Sequence, residues 1–422
     1  MNPRRKKPPA GSTVRAQYEA LPYPARNPED ERTRLITGSP SHLDEINHYV
    51  FGGRLDFSKP FRALVAGGGT GDVAIMLAQQ MADRKMPGEV VYLDLSSASR
   101  AVAETRAKVR GLTNITFHQG SLLEAASVTP GPFDYIDCCG VLHHLDDPGA
   151  GLRALASELR EGGGMGLMVY GALGRTGVYP AQEALRALAA GEPVEPSLAL
   201  ARTLLDDLPA TNWLKRNDNI SSLVAGDDAA LYDLLLHSRD RAYTVLEVAG
   251  LCVEAGLTVT AFVEPARYDP LSYLRDADLC ERAARLGWIE ACALAENVAG
   301  NLKTHAFYVT KGGTRDKAVA RVKGAAVPVL LAGDGPWLAR KLAPEVSIRA
   351  EFGGLKFSFD IAPGSAACLR HVNGASSLRE IFRTRAGTQP WPAFLKDFEA
   401  LYRGLNGVNA MVLRFDPPPK KA

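Results

Sequence analysis

The sequence predicts a doubly wound α/β domain built on a mostly parallel, seven-stranded sheet, followed by a small α+β domain. Three observations carry this expectation. Short apolar runs alternate with amphipathic stretches from Phe61 to about Tyr170. The first run ends in the tight turn Gly67-Gly68-Gly69-Thr70-Gly71. A second, shorter series of strands and helices follows a charged linker that begins at Gly312-Gly313. Strands that are apolar throughout, separated by helices, fit a parallel sheet covered on both faces.

Each element follows from its local pattern. Residues 62–66, 90–93, 115–117, 133–138 and 165–170 are the first five strands. Helices are expected at about 72–82, 97–109 and 149–159 between them. The rhythm breaks at 171–241, where 184–190 and 229–237 are the helical candidates. This insertion leaves strand five on the edge where such sheets bind ligands, so it is expected to be a lid or to shape the substrate site. Alternation resumes with a helix over 245–255, a strand over 257–263, a helical region over 270–300 and a last strand over 305–310. Residues 1–54 are expected to form a loose N-terminal extension, 55–311 the main domain and 312–326 a linker. Residues 327–416 then form the small domain. Its strands are expected at 327–331, 348–352, 356–361 and 410–415, and its helices at 378–382 and 394–405. The basic start, Met1 to Ala10, and the tail 417–422 are expected to be disordered.

A chain of 422 residues is long enough for two cores. Hydrophobic residues make up 46% and charged residues 23%, as in ordinary water-soluble proteins, and the net charge of +2 argues for neither a nucleic-acid nor a membrane partner. No apolar h-region follows the basic start, and no run approaches a membrane span. The six cysteines form no C-x-x-C pair and no His is interleaved with them at ligand spacing, so no metal site is expected. Reduced thiols and a cytoplasmic location are the economical expectation.

The glycine turn opens a helix, whose unpaired N–H groups and positive dipole end favour a polar ligand. Gly69-Thr70-Gly71-Asp72-Val73-Ala74 also satisfies the dinucleotide pattern G-x-G-x-x-A. Asp94 closes the second strand at the distance expected of an acid that accepts two hydrogen bonds from ribose hydroxyls. Together these residues point to an adenosine-bearing cofactor. Strand four then continues as Phe133-Asp134-Tyr135-Ile136-Asp137-Cys138-Cys139 and Gly140-Val141-Leu142-His143-His144-Leu145.

With that segment, residues 55–311 resemble the class I S-adenosylmethionine (SAM)-dependent methyltransferases. The family's G-x-G-x-G loop is matched by Gly67, Gly69 and Gly71, its strand-two acid by Asp94, and its strand-four segment by Phe133–Leu145. The resemblance implies a cofactor site of Gly67, Gly68, Gly69, Thr70, Gly71, Asp72, Asp94, Leu95, Gly120, Ser121, Cys138 and Gly140, with S-adenosylhomocysteine (SAH) as product. It also implies direct methyl transfer, with His143, His144 and Tyr170 as candidate catalytic groups. Two positions depart from the family. Val65 stands where an acid often contacts the methionine amine, with Asp72 the candidate replacement. Gly120-Ser121 stands where an acid often meets the adenine amine.

Tyr18 and Tyr23 are candidates to close over the ligand. Arg175, Tyr179, Arg239 and Arg241 are candidates to bind an acidic acceptor. The [DNS]-P-P-[YFW] pattern of DNA amino-methylating enzymes is absent, which argues against a DNA base. The expected acceptor is a nucleophilic N or O atom of a protein, peptide or small molecule. The small C-terminal domain resembles winged-helix domains and is a candidate for acceptor recognition or homodimer formation. Two alternatives stay open at this point: a methyltransferase fold that binds without transferring, and, more remotely, a nicotinamide-dependent oxidoreductase.

Overall fold

The computed structural model describes residues 10–38, 40–220, 228–342, 347–352, 354–385 and 389–415; the basic start and the final tail lie outside them. The strands of the main sheet are β1 (Phe61–Ala66), β2 (Gly88–Asp94), β3 (Ile115–Gln119), β4 (Phe133–Cys139), β5 (Leu159–Gly171), β6 (Ala242–Tyr243), β7 (Leu257–Phe262) and β8 (Thr304–Lys311). Their order is β3-β2-β1-β4-β5-β8-β7, with short β6 pairing alongside β5. The seven expected strands are present, and β6 is an eighth. Only β8 runs against its neighbours. The sheet's order reverses at β1 and β4, whose register sets Ala63 against Tyr135 and Val65 against Asp137.

The helices of this half are α1 (Ala10–Ala20), α2 (Leu43–Tyr49), α3 (Asp72–Asp83), α4 (Ser97–Arg110), α5 (Ala125–Val128) and α6 (Pro148–Ser157). Residues on β1 alternate between two apolar layers. Leu64 and Ala66 join one with Ile136, Leu155 and Leu167, while Ala63 and Val65 join the other with Leu77, Tyr92 and Tyr135. At roughly 25 cal/mol per Å² of apolar area, these two layers dominate the domain's stability.

The insertion after β5 contains α7 (Val178–Leu188), α8 (Val194–Asp207) and α9 (Asp228–Leu235). It has a small core of its own, built from Val178, Leu185, Leu198, Leu231 and Leu234. Next come α10 (Val245–Glu254), α11 (Ala277–Ala284) and α12 (Trp288–Ala299). The region expected to be helical over 270–300 is thus two helices, the second entered at Gly287. A four-residue helix, α13 (Arg315–Ala318), lies in the expected linker.

Beyond it, β9 (Ala326–Leu330) pairs antiparallel with β12 (Met411–Phe415), and β10 (Ser347–Phe352) forms a hairpin with β11 (Leu355–Asp360). Helices α14 (Gly335–Leu342), α15 (Leu378–Thr384) and α16 (Trp391–Gly407) complete this unit around Leu369, Ile381, Phe398 and Leu401. Ser377 and Glu380 form a reciprocal capping box that fixes the start of α15.

The segment expected to be a loose extension is packed into the fold. Leu43, Ile46 and Tyr49 on α2 are buried in the sheet layer. Glu45 accepts hydrogen bonds from Tyr308 (2.7 Å) on β8 and from Asn409 (2.7 Å) in the C-terminal unit. His48 meets the backbone of Leu413 (3.0 Å) and Tyr402 Oη (3.0 Å). One short helix therefore ties both units together. Arg106 on α4 ties the N-terminal segment to the glycine turn. Fully buried, it donates to Glu31 (2.6 Å), to the Thr70 carbonyl (2.8 Å) and to Asp72 (2.6 Å). Removing one partner of such a buried group leaves the others unpaired. Arg106→Ala is expected to cost about 3–5 kcal/mol, measured as a lowered midpoint in denaturant unfolding.

Candidate active site

Beyond the carboxyl ends of β1, β2, β4 and β5 lies a cavity of about 580 Å³. Gly67, Gly68 and Gly69 form one wall. Gly67 sits at φ +79°, where a Cβ would come within 2.3 Å of Val141, so the turn passes beneath β4's loop only as glycine. Asp94 ends β2 on the cavity wall, and its two oxygens accept from Gly69 N and Ser96 N, both at 2.8 Å. The same carboxylate thus braces the glycine turn. Burial pushes its pKa up. Leu95, Gly120, Ser121 and Gly140 also line the cavity.

Other expected residues lie elsewhere. Thr70 is buried and bonds the Pro24 carbonyl (2.7 Å), and Gly71 packs against Ala103 of α4. Neither borders the cavity. Asp72 does, but Arg26 (2.7 Å) and Arg106 (2.6 Å) already hold its carboxylate. Cys138 faces the core, because successive strand residues alternate in direction. Its neighbours Asp137 and Cys139 face the cavity instead.

Asp137 is the register partner of Val65. A carboxylate therefore stands one strand over from Val65. Ser41 Oγ and Cys139 Sγ donate to its carboxylate, the latter at 3.3 Å. Burial raises its pKa from 3.8 to about 6, against those hydrogen bonds.

The far end of the cavity is built from β5, the loop after β4 and the insertion. Asp233 on α9 is only 6% exposed and accepts from Tyr170 Oη (2.6 Å) and Tyr18 Oη (3.3 Å). Burial beside Asp233 holds both phenols well above their usual range. His144 Nδ1 lies 2.8 Å from the Arg239 carbonyl, which can only accept, so Nδ1 carries the proton and Nε2 keeps its lone pair. Nε2 faces Asp233 at 3.9 Å. Burial lowers the pKa of His144, and the nearby carboxylate opposes that shift.

His237 stacks on His144 at 3.7 Å. Its Nδ1 accepts from Arg239 N (3.0 Å), which leaves the proton on Nε2, beside Tyr18 Oη (3.4 Å). His144, Asp233 and His237 lie close enough to suggest a metal site, with one ligand atom of each within 4.8 Å of the others. The hydrogen bonds assign them otherwise. His237 presents an N–H donor at Nε2, and its one lone pair, on Nδ1, is taken by Arg239 N.

His143 is enclosed beneath Tyr170, ring on ring at 3.8 Å, and does not border the cavity. Neither of its ring nitrogens has a hydrogen-bond partner among the described residues, and burial drives its pKa well down. Arg175 borders the cavity, but its charge is met by buried Asp240 (2.8 Å) and it lies over the Tyr170 ring (3.8 Å). Tyr179 reaches the same Asp240 (3.5 Å) from outside the cavity. Arg239 borders the cavity and pairs with Asp146, while Arg241 lies outside it and pairs with exposed Glu247.

Tyr18 and Tyr23 roof the cavity from the N-terminal segment. Helix α1 is held there by Glu19, whose carboxylate accepts from Ser97 N (2.8 Å) and Ala98 N (3.0 Å) at the start of α4. Asp137, Cys139, Asp233 and His237 were not legible as site residues. For Asp233 a signal existed: it is the one acid in the apolar run Leu231–Leu236.

Residues 64–165 match a family model described as a methyltransferase domain. The chain carries a class I SAM-dependent methyltransferase domain. A protein of Synechococcus sp., syc1184_c, is 32% identical over 268 residues, 61% of each chain. A ubiquinone biosynthesis O-methyltransferase of Aeromonas salmonicida is 31% identical over 35% of this chain and 57% of its own. The tRNA 5-carboxymethoxyuridine methyltransferase of Escherichia coli K12 is 35% identical over 27% of this chain and 41% of its own. The chain thus spans less than two thirds of each of these relatives. PKMT2 from Rickettsia typhi, solved with AdoHcy, shares the fold over 88% of this chain and 74% of its own, with TM-score 0.60 and 14% identity.

The acceptors and apolar groups on the cavity wall fit SAM. Asp94 suits a ribose diol, Asp137 a methionine ammonium, and Leu95, Leu122 and Val141 a flat base. The methyltransferase domain's cofactor is therefore SAM rather than a nicotinamide dinucleotide. No helix among the described residues is long and apolar enough to cross a membrane.

Asp137 allows a sign test. Its raised pKa means that the folded domain prefers the protonated acid. This preference favours folding fully below about pH 4 and is lost as pH rises through 6, so at neutral pH the buried charge costs about 3 kcal/mol. Asp137→Asn keeps an acceptor for Ser41. It is expected to melt higher than the parent at pH 7.5, and the gain should fall to about half at pH 5 and vanish below about pH 4. A gain equal at pH 7.5 and pH 5 in thermal unfolding would refute the assignment.

Proposed function

We propose that the protein transfers a methyl group from SAM to a nucleophilic N or O atom of a protein, peptide or small-molecule acceptor. The observation that carries this is the single cavity: the SAM-fitting wall and the Tyr18–Asp233–Tyr170–His144 cluster open into the same space. Bound there, SAM supplies a methyl group activated on sulfonium sulfur. Asp94 holds the ribose, Asp137 the methionine ammonium, and Gly120 and Ser121 border the base.

The other end orients the acceptor and takes its proton. His144 Nε2 is the base, unprotonated at neutral pH because burial lowers its pKa. Asp233, fixed by two phenols, steadies the imidazolium that forms. Tyr170 positions the acceptor, and His143 and Arg175 pack on its two faces and set its tilt. The roof formed by α1 excludes water. The insertion carries Asp233 and so helps to specify the substrate. A relative named as an O-methyltransferase supports including oxygen acceptors in the screen.

Calorimetric titration with SAM and SAH is expected to show micromolar binding. Asp94→Ala and Asp137→Asn should each weaken SAM at least tenfold at pH 7.5, and the parent's affinity should fall below about pH 6 as Asp137 protonates. Tight binding by Asp94→Ala would overturn the ribose assignment. In a screen of lysine peptides, phenols and carboxylates read by SAH release, His144→Ala is expected to lower kcat about a hundredfold or more. Asp233→Asn should lower kcat with SAM affinity within twofold of the parent. SAM binding without SAH release from any acceptor would favour a protein that binds the cofactor without transferring methyl.

A further inference from the structure

A second cavity, of about 500 Å³, lies where the methyltransferase sheet, the linker and the C-terminal unit meet. It shares no lining residue with the SAM cavity. Phe262 at the end of β7, Tyr268 after it and Trp288 on α12 line one side, and Phe359 on β11 and Tyr402 on α16 the other. Phe262 and Tyr268 are stacked at 4.3 Å, so the first side is a fixed aromatic wall.

Three arginines border this apolar space: Arg315 on α13, Arg321 just after it, and Arg403 on α16. Arg315 lies over the Trp288 ring at 4.2 Å, and its buried Nε has no hydrogen-bond partner among the described residues. Neither Arg315 nor Arg403 forms an ion pair among the described residues. Arg321 pairs with Asp316 (2.8 Å), an acid almost wholly in solvent. Burial and the neighbouring charge of Arg321 lower the pKa of Arg315, the mark of a cation short of compensation. Two carboxylates also line the cavity. Asp269 is occupied by Leu271 N (2.9 Å), and Glu399 is exposed on α16. The balance stays cationic.

We propose that this cavity binds a small molecule with a flat, apolar body and one anionic head group, a carboxylate or a phosphate monoester. The body lies between the aromatic walls, and the head accepts from the three guanidinium groups, of which Arg315 offers a donor already buried and unmet. Such a ligand bridges both units and stiffens their junction. The proposal stands apart from the methyl-transfer reading, since the two cavities are separate.

The test uses the full chain saturated with SAH, so that the first cavity is filled. Calorimetry with 1-naphthyl phosphate and 1-naphthoate is set against 1-naphthalenemethanol and inorganic phosphate. At least one naphthyl anion is expected to bind tenfold or more tighter than either control. Binding by the phosphate alone or the carboxylate alone identifies the head group. Arg321→Gln/Arg403→Gln, both exposed and so not needed for folding, should weaken the anion at least tenfold with SAH affinity unchanged. Ala291→Trp, which fills the cavity from α12, should abolish it. Anions that bind no tighter than the alcohol overturn the proposal. So does undiminished binding by the double variant or by the filled cavity.

Discussion

Everything in this molecule's chemistry depends on one constraint of parallel sheets. Strands β1 and β4 lie side by side, yet the chain leaves them toward opposite ends of the sheet order. No helix can cover the gap beyond their carboxyl ends, and the space stays open. The glycine turn passes through that gap, Asp94 arrives from β2, and Asp137 and Cys139 face it from β4. The N-terminal helix and the insertion then close it from above. The site is therefore a product of strand order first and of side chains second.

The same constraint explains the exchange of an acid between strands. Val65 and Asp137 are partners across the β1–β4 ladder, so a carboxylate on either strand reaches nearly the same place. On β4 it is held by Ser41 from the N-terminal segment and by Cys139. Burial there is costly in stability and favourable for binding a cation. Strain and cost of this kind gather where a site needs a charge.

Most of the fold was legible in the sequence because its signals are local. The apolar run before Gly67, the spacing to Asp94 and the strand-four segment each depend on a few neighbouring residues. The phase of β4 was not: choosing Cys138 over Cys139 is a shift of one residue, and in a strand that reverses the face. The acceptor end was illegible for a different reason. Asp233 meets Tyr18 across 215 positions and His144 meets Arg239 across 95, and no periodicity encodes such contacts. The N-terminal segment looked loose because it is polar. Its polar groups turn out to be buried and paired, as with Glu45 and His48 on α2.

The roof has a further meaning. Helix α1 rests on two different supports: Glu19 on the start of α4, beside the SAM wall, and Tyr18 on Asp233, at the acceptor end. An element held at both ends of a cavity reports the state of each to the other. On the proposed reading, any displacement of this helix would loosen both supports at once and leave Asp233 with one of its two phenol anchors.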